Sequence, residues 1–174
     1  MDVNNLKGRI AEALVESIFQ RALYRVARVG RESHVQGLLK SGAGEFAPDF
    51  LVWKPVQGQE FERDLHRMMS IEVKYRSNLR AFVKNDLEPL VARVRGQWPE
   101  LYCVLVTDDP GERRSCFQVF DVKEHVAGTD PVTLDLDQHR ALDIYATTVR
   151  EYEGLAREIF SLLGAYDREQ GRQG

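Results

Sequence analysis

Two short stretches of this 174-residue chain place carboxylates where they could share work. In SIEVKY, Glu72 and Lys74 are two residues apart. On a strand both side chains leave the same face, with Cα atoms roughly 6–7 Å apart. A carboxylate and an ammonium so placed can hold a divalent cation with a water beside it. They can also form an exposed ion pair on an edge strand, and the spacing alone favours that plainer reading. In APDFLV, Asp49 follows Pro48 inside an apolar run. Proline fixes the backbone and removes one ladder donor, which suits a strand start or a bulge. Consecutive strands usually neighbour each other. Asp49 and Glu72 could then converge on one ion, and hard cations such as Mg²⁺ take oxygen ligands and keep several waters. Asp49 could instead cap a turn.

A third carboxylate lies in KGRIAEALVESIF. Glu12 falls off the apolar stripe of Leu6, Ile10 and Leu14 and could join a metal shell directly or through water. Taken alone it reads as a solvated helix glutamate, and Glu16, one turn along, is an alternative. Arg76, Arg80 and Lys84 follow the Glu72 strand, with Arg93 and Arg95 further on, and Arg25, Arg28 and Arg31 form a second basic run. Such residues hold phosphates or simply solvate a helix face, with nothing to choose between the two. His34, His66, His125 and His139 are scattered without metal-ligand spacing and read as surface or satisfied side chains. Trp53 and Trp98 read as core or rim.

The elements that must position these residues follow from periodicity. Leu6, Ile10, Leu14 and Ile18 recur at helical spacing over 4–22, with Asn4 or Asn5 as cap. Residues 23–30 suggest a short strand through Leu23, Val26 and Val29, ended by Gly30, and 31–45 read as loop. FAPDFLVW (46–53) has strand composition, and 54–68 is a polar excursion. MSIEVKYR (69–76) alternates, with Ile71, Val73 and Tyr75 on one face and Glu72, Lys74 and Arg76 on the other. Residues 79–96 look helical, disturbed at Pro89. LYCVLVT (101–107) is a buried central strand and CFQVFDV (116–122) another strand. Residues 123–146 have no clear assignment. An amphipathic helix fills 149–163, and the last ten residues read as a frayed polar tail. The expected fold class is α/β, with helices covering a mixed sheet. One domain over 1–165 is expected, with a polar tail at 166–174.

The bulk numbers set limits. Hydrophobic residues at 43% and charged residues at 29% are an ordinary globular balance. No apolar run approaches the ~20 residues that span a bilayer, and the N-terminus lacks a signal-peptide pattern. Cytoplasm, without membrane attachment, is the expected address. Cys103 and Cys116 sit in apolar strands and read as buried thiols. A net charge of −3 counts against simple non-specific nucleic-acid binding, without excluding a nuclease whose metal ligands are themselves acidic.

In order along the chain, Glu12, Pro48-Asp49 and Glu72-Val73-Lys74, followed by a helix, resemble the PD-(D/E)xK nuclease superfamily, whose fold is restriction-endonuclease-like. The opening KGRIAE, with Gly8-x-x-x-Glu12, looks like the start of archaeal Holliday-junction resolvases. The resemblance covers roughly residues 5–122, and its motifs are short, so order and context carry it. The polar insert at 54–68 is a departure, and the glutamine-tyrosine motif of RecB-like members is not evident. The resemblance implies Mg²⁺ or Mn²⁺ bound by Asp49, Glu72 and the carbonyl of Val73, with Glu12 helping. It implies Lys74 as the residue that orients water and stabilises the transition state. It also implies DNA as partner, contacted by Arg76, Arg80 and Lys84, and products with a 5′-phosphate and a 3′-hydroxyl. A homodimer follows by analogy with relatives that pair to cut two strands. Two other readings compete: a nuclease-like fold kept as a non-catalytic binding module, and an unrelated α/β binding domain.

Overall fold

The structure, a computed structural model, describes residues 2–29, 46–55 and 66–171. Helix α1 (Val3–Arg21) leads into β1 (Arg25–Arg28). Then come β2 (Phe50–Pro55), β3 (His66–Tyr75), α2 (Leu79–Asn85), α3 (Leu87–Val94), β4 (Leu101–Val106), β5 (Phe117–Asp121) and β6 (Leu134–Asp135). A 3-10 turn (Leu136–Gln138) and a long helix α4 (Ala146–Gly171) complete the chain.

The strands form one six-stranded sheet in chain order, β1 to β6. Every neighbouring pair is antiparallel except β3 and β4, which run parallel. Parallel neighbours need a crossover, and α2 and α3 supply it. The architecture is therefore mixed α/β, with helices on both faces.

Alternation along each strand sorts the sheet into two layers. Phe50, Val52, Ile71, Val73, Tyr75, Val104 and Phe117 face α1 and α4 in the larger core. Leu101, Cys103, Leu105 and Phe120 face α2 and α3, where Phe82, Leu87 and Val91 meet them. β4 is buried at every position, as its unbroken apolar run requires. Cys103 and Cys116 are buried free thiols. Among the described residues no helix is long and apolar enough to cross a membrane.

Several local expectations shift. Asp2, not Asn4 or Asn5, caps α1, its carboxylate accepting the amides of Asn4 at 3.0 Å and Asn5 at 3.3 Å. The buried face of α1 runs through Val3, Lys7, Ala11, Leu14, Val15 and Ile18. It is rotated from the Leu6–Ile10–Leu14 stripe because the helix is wedged between the sheet and α4 and is covered on two sides. Leu23 is no strand residue; it turns the chain at φ 66° and is 76% exposed. The 79–96 helix is two helices, broken at Asp86 rather than at Pro89. Pro89 is the third residue of α3, where a backbone N–H has no helical acceptor to lose. α4 continues to Gly171, through most of the stretch expected to fray. Both ends of the expected 54–68 excursion are strand, since β2 reaches Pro55 and β3 begins at His66, and residues 56–65 lie outside the described residues. The loop expected at 31–45 lies outside the described residues.

Candidate metal centre on the third strand

β2 and β3 pair with Phe50 opposite Ile71. Continuing that register by one residue sets Asp49 opposite Glu72. Asp49 precedes the strand rather than lying in it, because β2 starts at Phe50. Two bonds fix it at that lip. Its carbonyl accepts the amide of Val29 at 3.0 Å, and its Oδ2 accepts the amide of Val73 at 2.7 Å. The residue between Glu72 and Lys74 thus holds the carboxylate that comes from the other strand.

Glu72 and Lys74 pair in register with Cys103 and Leu105, so both lie on the α2/α3 side of the sheet. Glu72 is only 3% exposed. One of its oxygens, Oε1, accepts from the Lys74 ammonium, and the other, Oε2, is buried with no hydrogen-bond partner. Burial first, and then the charge of Asp49, push the Glu72 carboxyl up to about 7. Burial likewise raises Asp49, against the Val73 amide and the Lys74 charge, which lower it. Burial also works against the charge on Lys74, but the Glu72 and Asp49 carboxylates outweigh it and hold the ammonium charged. Buried carboxylates without enough partners take up a proton or a cation. The oxygen donors offered here suit a hard divalent ion.

Glu12 and Glu16 divide as their helix positions dictate. Glu16 is engaged by Arg28, whose Nε donates to it at 3.0 Å. Glu12 is raised by burial and by the charge of Asp49, and lowered by Arg28 and Lys74. It therefore senses the Asp49–Lys74 cluster from α1, in the other layer. It stands back from it, however. Among the described residues, the one group of three acidic, histidine or cysteine side chains whose ligand atoms lie within 4.8 Å of one another is Asp121, Glu124 and His139.

α1 is seated by a buried lysine. Lys7 donates to Asp108 Oδ2 at 2.7 Å and to the Tyr75 hydroxyl at 3.1 Å, and Tyr75 donates to Asp108 Oδ1 at 2.9 Å. Tyr75 ends the strand that carries Glu72 and Lys74. The clasp thus fixes the helix bearing Glu12 against that strand. Sequence periodicity missed it, since a lysine on a buried face breaks the apolar pattern.

The three basic residues separate. Arg76 donates to the carbonyl of Tyr75 at 2.7 Å and stacks over the Phe82 ring at 4.5 Å. Arg80 and Lys84 line an open groove of about 990 Å³ that also holds Arg114, Asp109, Glu112 and Asp130. The groove is mixed in sign rather than a basic track.

Of the four histidines, His34 lies outside the described residues and His66 opens β3. His125 is satisfied by Glu88. His139 is buried, and its Nδ1 has no partner, contrary to the expectation of a surface or satisfied side chain. In its three-residue grouping His139 lies 18 residues beyond Asp121, so no local spacing announced it.

Comparison with known proteins adds no relative: no protein-family model, no curated protein and no solved structure matches the chain.

Proposed function

We propose that the chain is a metal-dependent DNA endonuclease of the PD-(D/E)xK, restriction-endonuclease-like kind, hydrolysing phosphodiester bonds at Asp49, Glu72 and Lys74. The observation that carries the reading is Glu72: a buried glutamate with an unpartnered oxygen, opposite a second carboxylate and paired to the lysine two residues on. A carboxylate pair is costly to bury unless something positive is shared. Asp49, Glu72 and the Val73 carbonyl would hold Mg²⁺ or Mn²⁺, with Glu12 at longer range. Such an ion supplies a water of lowered pKa and neutralises charge on the scissile phosphate.

The chain's own residues do the rest. The Val73 amide fixes the Asp49 carboxylate. Lys74, kept protonated by its acidic neighbours, orients the attacking water and stabilises the charge that builds on the phosphate, a role for a fixed cation and not for a base. Arg80 and Lys84 bind backbone phosphates along the groove. Arg76, stacked on Phe82, contacts the strand nearest the centre. DNA in the cytoplasm is the proposed substrate, and a homodimer the proposed form for cutting both strands.

A second reading, a non-catalytic binding module on the same fold, is favoured by one observation: Asp109, Glu112 and Asp130 share the groove with Arg80 and Lys84. Incubating plasmid and branched DNA with the chain in Mg²⁺, Mn²⁺ or EDTA separates the two. The nuclease nicks or cuts in metal and stops in EDTA, whereas the module binds without cutting in all three.

A further inference from the structure

On the other side of the sheet lies a cluster the nuclease reading does not use. β5 ends at Asp121, a tight turn carries Glu124, and His139 follows the 3-10 turn. Each offers one ligand atom, and the three atoms lie within 4.8 Å of one another. A cavity of about 250 Å³ opens beside them.

Three features of the cluster bear on metal binding. First, His139 is 6% exposed, so the imidazole is held inside the fold beside the two carboxylates. Nδ1 is buried without a partner, and Nε2 stands 3.4 Å from Asp121 Oδ2. That separation is long for a good hydrogen bond between such groups. It matches the edge of a tetrahedron whose bonds are those of zinc to nitrogen and oxygen, about 3.3–3.4 Å. Second, Asp121 is oriented in advance. Its Oδ1 accepts the amides of Lys123 at 2.8 Å and Glu124 at 3.3 Å, which leaves Oδ2 for another partner. Backbone donors that aim a ligand carboxylate in this way are typical of metal sites. Third, Glu124 is exposed, so its side chain can rotate to close the third side.

We propose that Asp121, Glu124 and His139 form a site for a divalent transition metal of the zinc class. An imidazole with two carboxylates favours zinc over magnesium, because a nitrogen donor suits the softer ion. The site is distinct from the proposed nuclease centre. Asp121 pairs with Tyr102, which pairs with Ile71, and these face α1 and α4, whereas Glu72 faces α2 and α3. β3 and β5 are also two strand spacings apart, roughly 10 Å, well beyond the separation of a two-metal centre. A metal here would tie the end of β5 to the chain entering α4, through a region with little regular structure. Its contribution would be to folding stability. The proposal stands or falls independently of DNA cleavage.

The test uses the untagged 174-residue chain carrying Asp49→Asn and Glu72→Gln, so that the other centre cannot bind metal. After EDTA stripping, Zn²⁺ and Mg²⁺ are titrated separately by calorimetry, with thermal melts alongside. One Zn²⁺ per chain is expected, at least a hundredfold tighter than Mg²⁺, with a raised melting midpoint. Glu124→Gln, a change at an exposed position, should weaken Zn²⁺ at least tenfold while circular dichroism stays the same. A folded chain that binds no Zn²⁺, or binding unaltered by Glu124→Gln, overturns the proposal.

Discussion

The amide of Val73 donates to Asp49 Oδ2 at 2.7 Å, so the strand bearing Glu72 and Lys74 itself grips the carboxylate arriving from the neighbouring strand. An asparagine can accept the same bond through its side-chain oxygen, but it brings no charge. Asp49→Asn should therefore keep the fold while removing the charge of the half-buried member of the carboxylate pair. Without metal at pH 8, its melting point is expected at or above that of the wild type, because Glu72 no longer faces a second negative charge. Cleavage should fall at least a hundredfold. Thermal melts and a plasmid assay on one preparation check both halves, and a lowered melting point together with normal cleavage would count against the site.

The elevated Glu72 carboxyl gives stability a pH dependence of defined sign. The group is raised from an ordinary 4.5 to about 7, so between those values the folded chain holds a proton that the unfolded chain releases. Its contribution to stability is fully present below about pH 4.5 and is lost as pH rises through about 7. In EDTA, the melting point should fall across that interval, and Glu72→Gln should flatten the fall. Added Mg²⁺ should do likewise if it takes the place of the proton. Melting curves at half-unit pH steps, with and without metal, measure the slopes.

Lys74 separates catalysis from binding. Lys74→Ala leaves both carboxylates in place but removes the cation beside them. If that cation acts in the transition state, cleavage at saturating DNA should drop by about a hundredfold or more while affinity changes little. If it only attracts DNA, affinity should drop and recover at low salt, with cleavage at saturation near normal. Single-turnover rates together with equilibrium binding distinguish the two outcomes.

Glu12 and Glu16 should behave differently although they lie one helical turn apart. Glu12 senses Asp49, so Glu12→Gln is expected to raise the metal concentration needed for half-maximal cleavage, by less than Asp49→Asn does. Glu16 pairs with a half-exposed Arg28, so Glu16→Gln should cost no more than about 1 kcal/mol and leave the metal requirement unchanged. Metal titrations of cleavage for both variants decide the point; a larger effect from Glu16 would shift the helical ligand by one turn.

The sheet was legible where side chains obey a single period. MSIEVKYR alternates because one face of β3 meets α1 and the other carries Glu72 and Lys74, and LYCVLV is continuous because β4 is covered on both sides. Asp49 could be placed near Glu72 because the two strands are consecutive. What stayed hidden needed long-range partners. Lys7 reads as a surface residue until Asp108, about a hundred residues away, is seen to hold it. β6 is two residues long, too short for periodicity to register. His139 acquires meaning only beside Asp121, which β5 delivers from another part of the chain.

Whether Asp49, Glu72 and Lys74 cut DNA is decided by one cleavage experiment on supercoiled plasmid and a branched duplex. It compares wild type with Asp49→Asn, Glu72→Gln and Lys74→Ala, in Mg²⁺, Mn²⁺ and EDTA. The expected result is metal-dependent cutting by the wild type that leaves 5′-phosphate ends, no cutting in EDTA, and at least a hundredfold loss in each variant while the folded state is retained. Wild-type chain that binds these DNAs yet cuts neither in either metal, or cutting that persists undiminished in Asp49→Asn and Glu72→Gln, would contradict it.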